Sequence, residues 1–124
     1  MRSTEDEHMD DSQEILDNLI PELKRGTIVL SVLSQLSGPV YGYSLVQELS
    51  DKGVDVEANT LYPLLRRLEK QGLLTSEWET ASNKPRKYYI RSAKGTQVFE
   101  DLKKQWDEMV MRVNALIKEE KTHG

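Results

Sequence analysis

The chain contains no cysteine. A disulfide framework and thiolate metal sites are therefore both excluded. Histidine is nearly as scarce: His8 and His123 are the two copies, and both lie close to the ends of the sequence. No pair of histidines stands at metal-ligand spacing, and no glycine-rich run is built to cradle a phosphate. No run approaches the roughly twenty apolar residues that a membrane-crossing helix needs. The first eleven residues are acidic and polar with no apolar stretch, so they are not read as a signal peptide, and the expected location is the cytoplasm. Carboxylates are plentiful, but they fall on polar helical faces and in the acidic start rather than in a pattern that builds a cleft with perturbed groups. These absences argue against an enzyme, a cofactor and a metal site. At 124 residues the chain holds one domain with a modest core.

Charge is abundant but unevenly spread. The whole chain carries a net charge of −4, which by itself speaks against a nucleic-acid partner. Residues 59–94, however, contain eight cations (Arg66, Arg67, Lys70, Lys84, Arg86, Lys87, Arg91 and Lys94) and three acids (Glu69, Glu77 and Glu79), a local charge of +5. Residues 1–22 hold eight acids against Arg2. A locally basic field is what phosphate contacts require, whatever the sign of the total.

Hydrophobic periodicity orders the elements. Residues 1–11 are expected to be disordered. Ile15, Leu16, Leu19, Ile20 and Leu23 recur at helical spacing, with Asp11 or Ser12 as cap and Pro21 as an interruption. A second helical stripe runs through Ile28, Val29, Val32, Leu33 and Leu36 to the stop at Ser37-Gly38-Pro39. Leu45, Val46 and Leu49 define a short helix. Leu61, Leu65 and Leu68 define the next, with Asn59 as N-cap, Pro63 in its first turn and Gly72 as its stop. The period then changes to two. Residues 74–80 and 86–91 read as strands joined by the polar loop 81–85. A final long helix from Gly95 carries Val98, Leu102, Trp106, Met109, Val113, Leu116 and Ile117 at spacings of three and four.

Two short helices followed by a basic hairpin and a long helix specify a mainly α, α+β winged helix-turn-helix. Its second helix enters the major groove of DNA and its wing follows a phosphate backbone. The predicted division is residues 12–94 as the DNA-binding domain and 95–121 as a dimerisation helix. With the leucines inward, Asn59, Tyr62, Arg66 and Lys70 face out, with Thr60 beside them at the helix N-terminus, where free N–H groups favour a phosphate. Asn pairs with adenine and Arg with guanine. Lys84, Arg86 and Lys87 near the hairpin loop are expected to contact phosphates regardless of sequence, and Tyr41, Ser44 and Tyr88 complete the predicted DNA-facing set. A plainer reading of Arg66, Arg67 and Lys70 is a solvated helix face, and Glu69 among them favours it. The stripe Leu102, Trp106, Met109, Val113 and Leu116 is longer than one small core can cover. With Ile15, Leu16 and Leu19 it predicts a homodimer interface. Trp78 on the first strand is expected to pack beneath the wing.

The segments Tyr41-Gly42-Tyr43, Thr60-Leu61-Tyr62-Pro63, Arg67-Leu68-Glu69, Gly72-Leu73, Lys87-Tyr88-Tyr89 and Gly95 resemble, in order and spacing, the PadR family of transcriptional regulators. The resemblance runs from about Leu23 to Trp106 and points to the short subclass with a single C-terminal dimerisation helix. It implies a homodimeric repressor of a double-stranded operator, relieved by a small aromatic or drug-like effector. It also implies a ligand contact at Trp106, with Met109 and Val110 on the adjoining turn; the plainer reading of Trp106 is the largest knob of an apolar stripe. In the family an apolar residue stands where this chain has Arg91. A winged helix that binds a protein rather than DNA is the alternative function, and the negative total charge favours it.

Overall fold

The computed structural model describes residues 4–81 and 83–119, with side chains from residue 11 onward. His123 and the expected helix end at residue 121 lie outside the described residues, as does the side chain of His8. Among the described residues five helices and three short strands follow one another as α1 (Thr4–Arg25), α2 (Ile28–Ser34), β1 (Val40–Tyr41), α3 (Gly42–Asp51), α4 (Ala58–Lys70), β2 (Leu74–Glu79), β3 (Arg86–Arg91) and α5 (Ala93–Lys118). The strands form one antiparallel sheet in the order β1-β3-β2. This is the winged helix-turn-helix architecture expected from the change of hydrophobic period after Gly72.

The core is a layer of leucines. Val32, Leu33 and Leu36 from α2 and the residues after it meet Leu45 and Leu49 of α3, Leu61, Leu65 and Leu68 of α4, and Tyr89 of β3. All are at most 3% exposed, so the helical stripes identified from periodicity are the buried faces. Truncating any of these leucines to alanine removes transfer energy and leaves a cavity.

Several boundaries differ from those the sequence predicts. α1 begins at Thr4, well before the expected cap at Asp11 or Ser12, so residues 4–11 are helical rather than disordered. Pro21 lies within α1 and does not interrupt it. It removes the one backbone bond to the carbonyl of residue 17, and because this stretch of α1 is exposed, water can satisfy that carbonyl. The chain turns instead after Arg25, where Thr27 donates from both its backbone N (2.9 Å) and its Oγ1 (2.7 Å) to the carbonyl of Lys24. Glu57, not Asn59, is the N-cap of α4; Asn59 is the second residue of that helix and Pro63 the sixth, past its first turn. β1 escaped the sequence reading altogether. Two residues carry no periodicity, and this strand exists because Val40 and Tyr41 pair with Tyr89 and Tyr88, distant in sequence.

The junction of α4, β2 and α5 is closely made. Gly72 has a positive φ of 81° and ends α4 in a Schellman turn, with Leu73 N donating to Leu68 O and Gly72 N to Glu69 O, each at 2.9 Å. Ser92 caps α5 by accepting from Gly95 N at 2.9 Å. The same residue donates its Oγ to Gly72 O at 2.6 Å and its backbone N to Leu73 O at 3.0 Å. A Cβ placed on Gly95 would stand 1.9 Å from Leu73 O, so the first turn of α5 rests directly on the backbone of the α4–β2 connection.

Arg91 also finds partners. Its guanidinium donates to Leu33 O at 2.7 Å and to Thr96 Oγ1 at 3.3 Å, and lies 4.4 Å from the centre of the Phe99 ring. It thereby joins the end of β3 to α2 and α5, a position at which an apolar residue would have only packing to offer.

Candidate nucleic-acid interface and apolar groove

The outward face of α4 follows from its buried one. With Leu61, Leu65 and Leu68 in the core, Asn59, Thr60, Pro63, Arg66, Arg67 and Lys70 are exposed. Asn59, Arg66 and Lys70 stand where expected. Tyr62 does not: it is half-buried, and its ring is 3.2 Å from the point where Gly42 would carry a Cβ. It leans on the start of α3 and, beside Arg66, lines the cleft between α4 and the hairpin, while Pro63 is exposed.

An aromatic cluster joins α3 to the hairpin. Tyr41 and Tyr43 stack with ring centres 5.6 Å apart, and Tyr41 meets Tyr88 edge-on at 6.2 Å. The Arg86 guanidinium lies 5.7 Å from the Tyr41 ring and 5.8 Å from the Tyr43 ring. The sequence reading missed Tyr43; the signal was present in the Tyr-Gly-Tyr triplet, but nothing in one sequence tells which tyrosine faces outward. Ser44 donates its Oγ back to Tyr41 O at 3.0 Å, so it braces the first turn of α3.

All three acids of the basic segment accept hydrogen bonds here. Tyr41 Oη donates to Glu79 and Ser76 Oγ to Glu69. Tyr88 Oη donates to Glu77 at 2.7 Å. That bond to Glu77 is the main reason the Tyr88 hydroxyl ionises above its ordinary range, followed by partial desolvation and the nearby carboxylates.

Lys87 departs from expectation. Its Nζ lies 3.4 Å from Glu69 Oε1, with its side chain 29% exposed. The β2–β3 register pairs Lys87 with Trp78, which places both on the sheet face toward α4 rather than toward a phosphate at the loop tip. Arg86 and Lys84 are the exposed cations at that end of the hairpin. Trp78, expected beneath the wing, is 61% exposed: its strand position looks past the end of the core, into the cleft between hairpin and α4.

A second feature shares no residue with the cleft between hairpin and α4. α5 and the α1–α2 corner enclose an apolar groove of about 650 Å³. Leu23, Thr27, Val29 and Leu30 form one wall, and Leu102, Trp106, Met109, Val110 and Val113 the other. The three residues predicted to meet a ligand, Trp106, Met109 and Val110, are thus together. Ile15, Leu16 and Leu19 of α1 and Leu116 of α5, outside the groove, and Met109 and Val113 on its wall are 47–66% exposed. Leu102 alone of the predicted dimer residues packs against the core.

The fold and the polar, cationic face of α4 define a winged helix-turn-helix transcription regulator. Residues 29–101 match the family model described as the transcriptional regulator PadR-like family, and the chain belongs to that family. It is 33% identical over 93 residues to the transcriptional regulator Rv3488 of Mycobacterium tuberculosis, covering 74% of this chain and 87% of that protein. The crystal structure of a PadR family transcriptional regulator from Eggerthella lenta shares 48% identity and a TM-score of 0.84, over 88% of this chain and 97% of that one. PadR of Bacillus subtilis, solved in complex with operator DNA, shares the fold at 21% identity with a TM-score of 0.57, over 61% of this chain and 47% of that one.

Proposed function

We propose that this chain is a homodimeric repressor that reads an operator in double-stranded DNA and is released from it by a small aromatic or drug-like effector. The observation that carries the DNA-reading step is the exposed row Asn59, Arg66 and Lys70 on α4, with Arg86 of the hairpin lining the same cleft as Arg66. In this reading residues 12–94 form the DNA-binding part and α5 the dimerisation helix. The protein acts in the cytoplasm and carries no catalytic activity. A fold-sharing relative held on operator DNA supports the reading.

A salt-dependent gel shift on the promoter of the chain's own operon tests it. Arg66→Ala should weaken operator binding by about 1–3 kcal/mol and relax sequence preference. Arg86→Ala or Lys84→Ala should weaken binding to every sequence and flatten the dependence of log affinity on log salt by about one unit. Lys87→Ala should change that slope less, because Glu69 already accompanies its charge. The alternative of a winged helix that binds only protein gains from the total charge of −4; a parent protein that shifts no duplex at low salt would favour it over DNA reading.

The effector step rests on the groove at Trp106. Two indoles brought together across a dimer axis would flank a flat molecule, and offset stacking adds roughly 0.5–1.5 kcal/mol per ring beyond area burial. Occupancy would change the spacing of the two α4 helices and so shift the population of DNA-competent dimers. Planar aromatic or cationic amphiphilic compounds should quench the intrinsic fluorescence of the parent and of Trp78→Phe, and leave Trp106→Phe nearly silent. Quenching retained in Trp106→Phe and lost in Trp78→Phe would remove the effector from the groove.

A further inference from the structure

The cleft between α4 and the hairpin has a composition of its own. It encloses about 360 Å³, lined by Tyr62 and Arg66 from α4, Trp78, Arg86 and Lys87 from the hairpin, and Tyr43 from α3. Among the described residues no carboxylate lines it. Glu77 and Glu79 are drawn to the tyrosines Tyr88 and Tyr41, while Glu69, farther along, is occupied by Ser76 and Lys87. Two guanidiniums therefore face the opening with no acid between them. Between them stands Trp78, 61% exposed, with the Lys87 ammonium 5.9 Å from its ring centre. Tyr43, 57% exposed, forms the far wall. An indole exposed to this degree gives up the burial that large aromatic side chains ordinarily gain, and packing within the chain gives no reason for it.

We infer that this cleft receives one backbone segment of duplex DNA, with Arg86 pairing a phosphate and the Trp78 indole lying against the adjoining deoxyribose. Trp78 is then a DNA-contacting residue in addition to the α4 face and the hairpin tip. The inference rests on the DNA-reading proposal above and extends it. A duplex whose major groove takes α4 must lay a backbone strand beside that helix, and the hairpin is the element flanking α4 on this side among the described residues. Arg pairs phosphate oxygens through a planar fork. A sugar presents an uncharged, largely apolar surface, which suits an indole face and not a cation. The two contacts are separable because only the first displaces a counterion.

The test uses anisotropy of a labelled mixed-sequence duplex at several salt concentrations, since a backbone contact needs no operator. Trp78→Ala should weaken binding about tenfold at every salt concentration, giving a line parallel to that of the parent. Arg86→Ala should give a line flatter by about one unit. Duplex should quench the indole emission of the parent, and Trp78→Phe, which keeps an aromatic ring in the hairpin, should lose most of that quenching. The inference is overturned if Trp78→Ala binds like the parent. It is overturned equally if the loss comes with a flattened slope, the indole then serving only to hold Lys87, or if quenching persists in Trp78→Phe. A parent that binds no duplex at any salt concentration removes the DNA-reading proposal and this inference together; binding with an unresponsive Trp78 removes the inference alone.

Discussion

Gly95→Ala should destabilise the protein by about 4 kcal/mol or more, the largest expected effect of any single methyl group in this chain. The added carbon would stand 1.9 Å from the Leu73 carbonyl oxygen and 2.8 Å from its carbonyl carbon. The obstacle is backbone, so no side-chain rotation relieves it. Either α5 moves outward or the α4–β2 connection gives way, and both movements strain the three bonds of Ser92 to Gly95 N, Gly72 O and Leu73 O. Urea denaturation should show a lower midpoint with little change in slope. Gly26→Ala is the matched control: a Cβ there meets nothing within 4 Å, and its effect should stay within about 0.5 kcal/mol. Equal midpoints for Gly95→Ala and the parent would mean that α5 does not rest on Leu73 as described.

The second large effect concerns assembly. In a single chain Ile15, Leu16, Leu19 and Leu23 of α1, and Met109, Val113, Leu116 and Ile117 of α5, are exposed by 47–79%. Apolar faces on two helices, running on from the groove, exceed what a solitary domain ordinarily shows to water. The parent should therefore sediment as a dimer at micromolar concentration, with a melting temperature that rises with concentration. Met109→Glu or Val113→Glu would set a carboxylate within that interface and should dissociate or unfold the protein. Met111→Glu supplies the contrast. Met111 lies on the opposite side of α5 and is 72% exposed, so this variant should remain dimeric. A parent that sediments as a monomer would sink the dimer proposal; so would a Met109→Glu variant that stays dimeric and folded.

What could be read in the residues, and what could not, divides along the range of the interactions. Leu61, Leu65 and Leu68 repeat within one helix, so their burial and the outward placement of Arg66 and Lys70 follow from helical geometry alone. The stop at Gly72 and the two-residue period after it are equally local. Three of the misplaced features were decided at a distance. Val40 and Tyr41 are a strand because of Tyr88 and Tyr89. Lys87 turns toward α4 because β2 pairs it with Trp78 and Glu69 waits across the cleft. Tyr62 leans toward α3 because Gly42, on another helix, leaves room for its ring. Pro21 misled for a different reason: proline forbids one hydrogen bond, not a helix, where water can take the orphaned carbonyl. For the site the consequence is specific. Residue types at the interface were legible, whereas which cation is paired and which aromatic is bare were not.

The contact of Gly95 with Leu73 also bears on mechanics. Ser92, Gly72 and Leu73 weld the end of α4 to the start of α5 with no free linker between them, and Arg91 ties the same corner to α2. A joint of this kind passes on torque where a flexible one would dissipate it. α5 is 26 residues long, roughly 39 Å at 1.5 Å per residue, so a tilt of about 10° at its far end would sweep α4 through an arc of some 7 Å. That is about two base-pair steps of 3.4 Å along a DNA strand. A small wedge beside Trp106, mid-helix and about 20 Å from the start of α5, would act through roughly half that arm, and stiffness at the corner sets how much of its push arrives at α4.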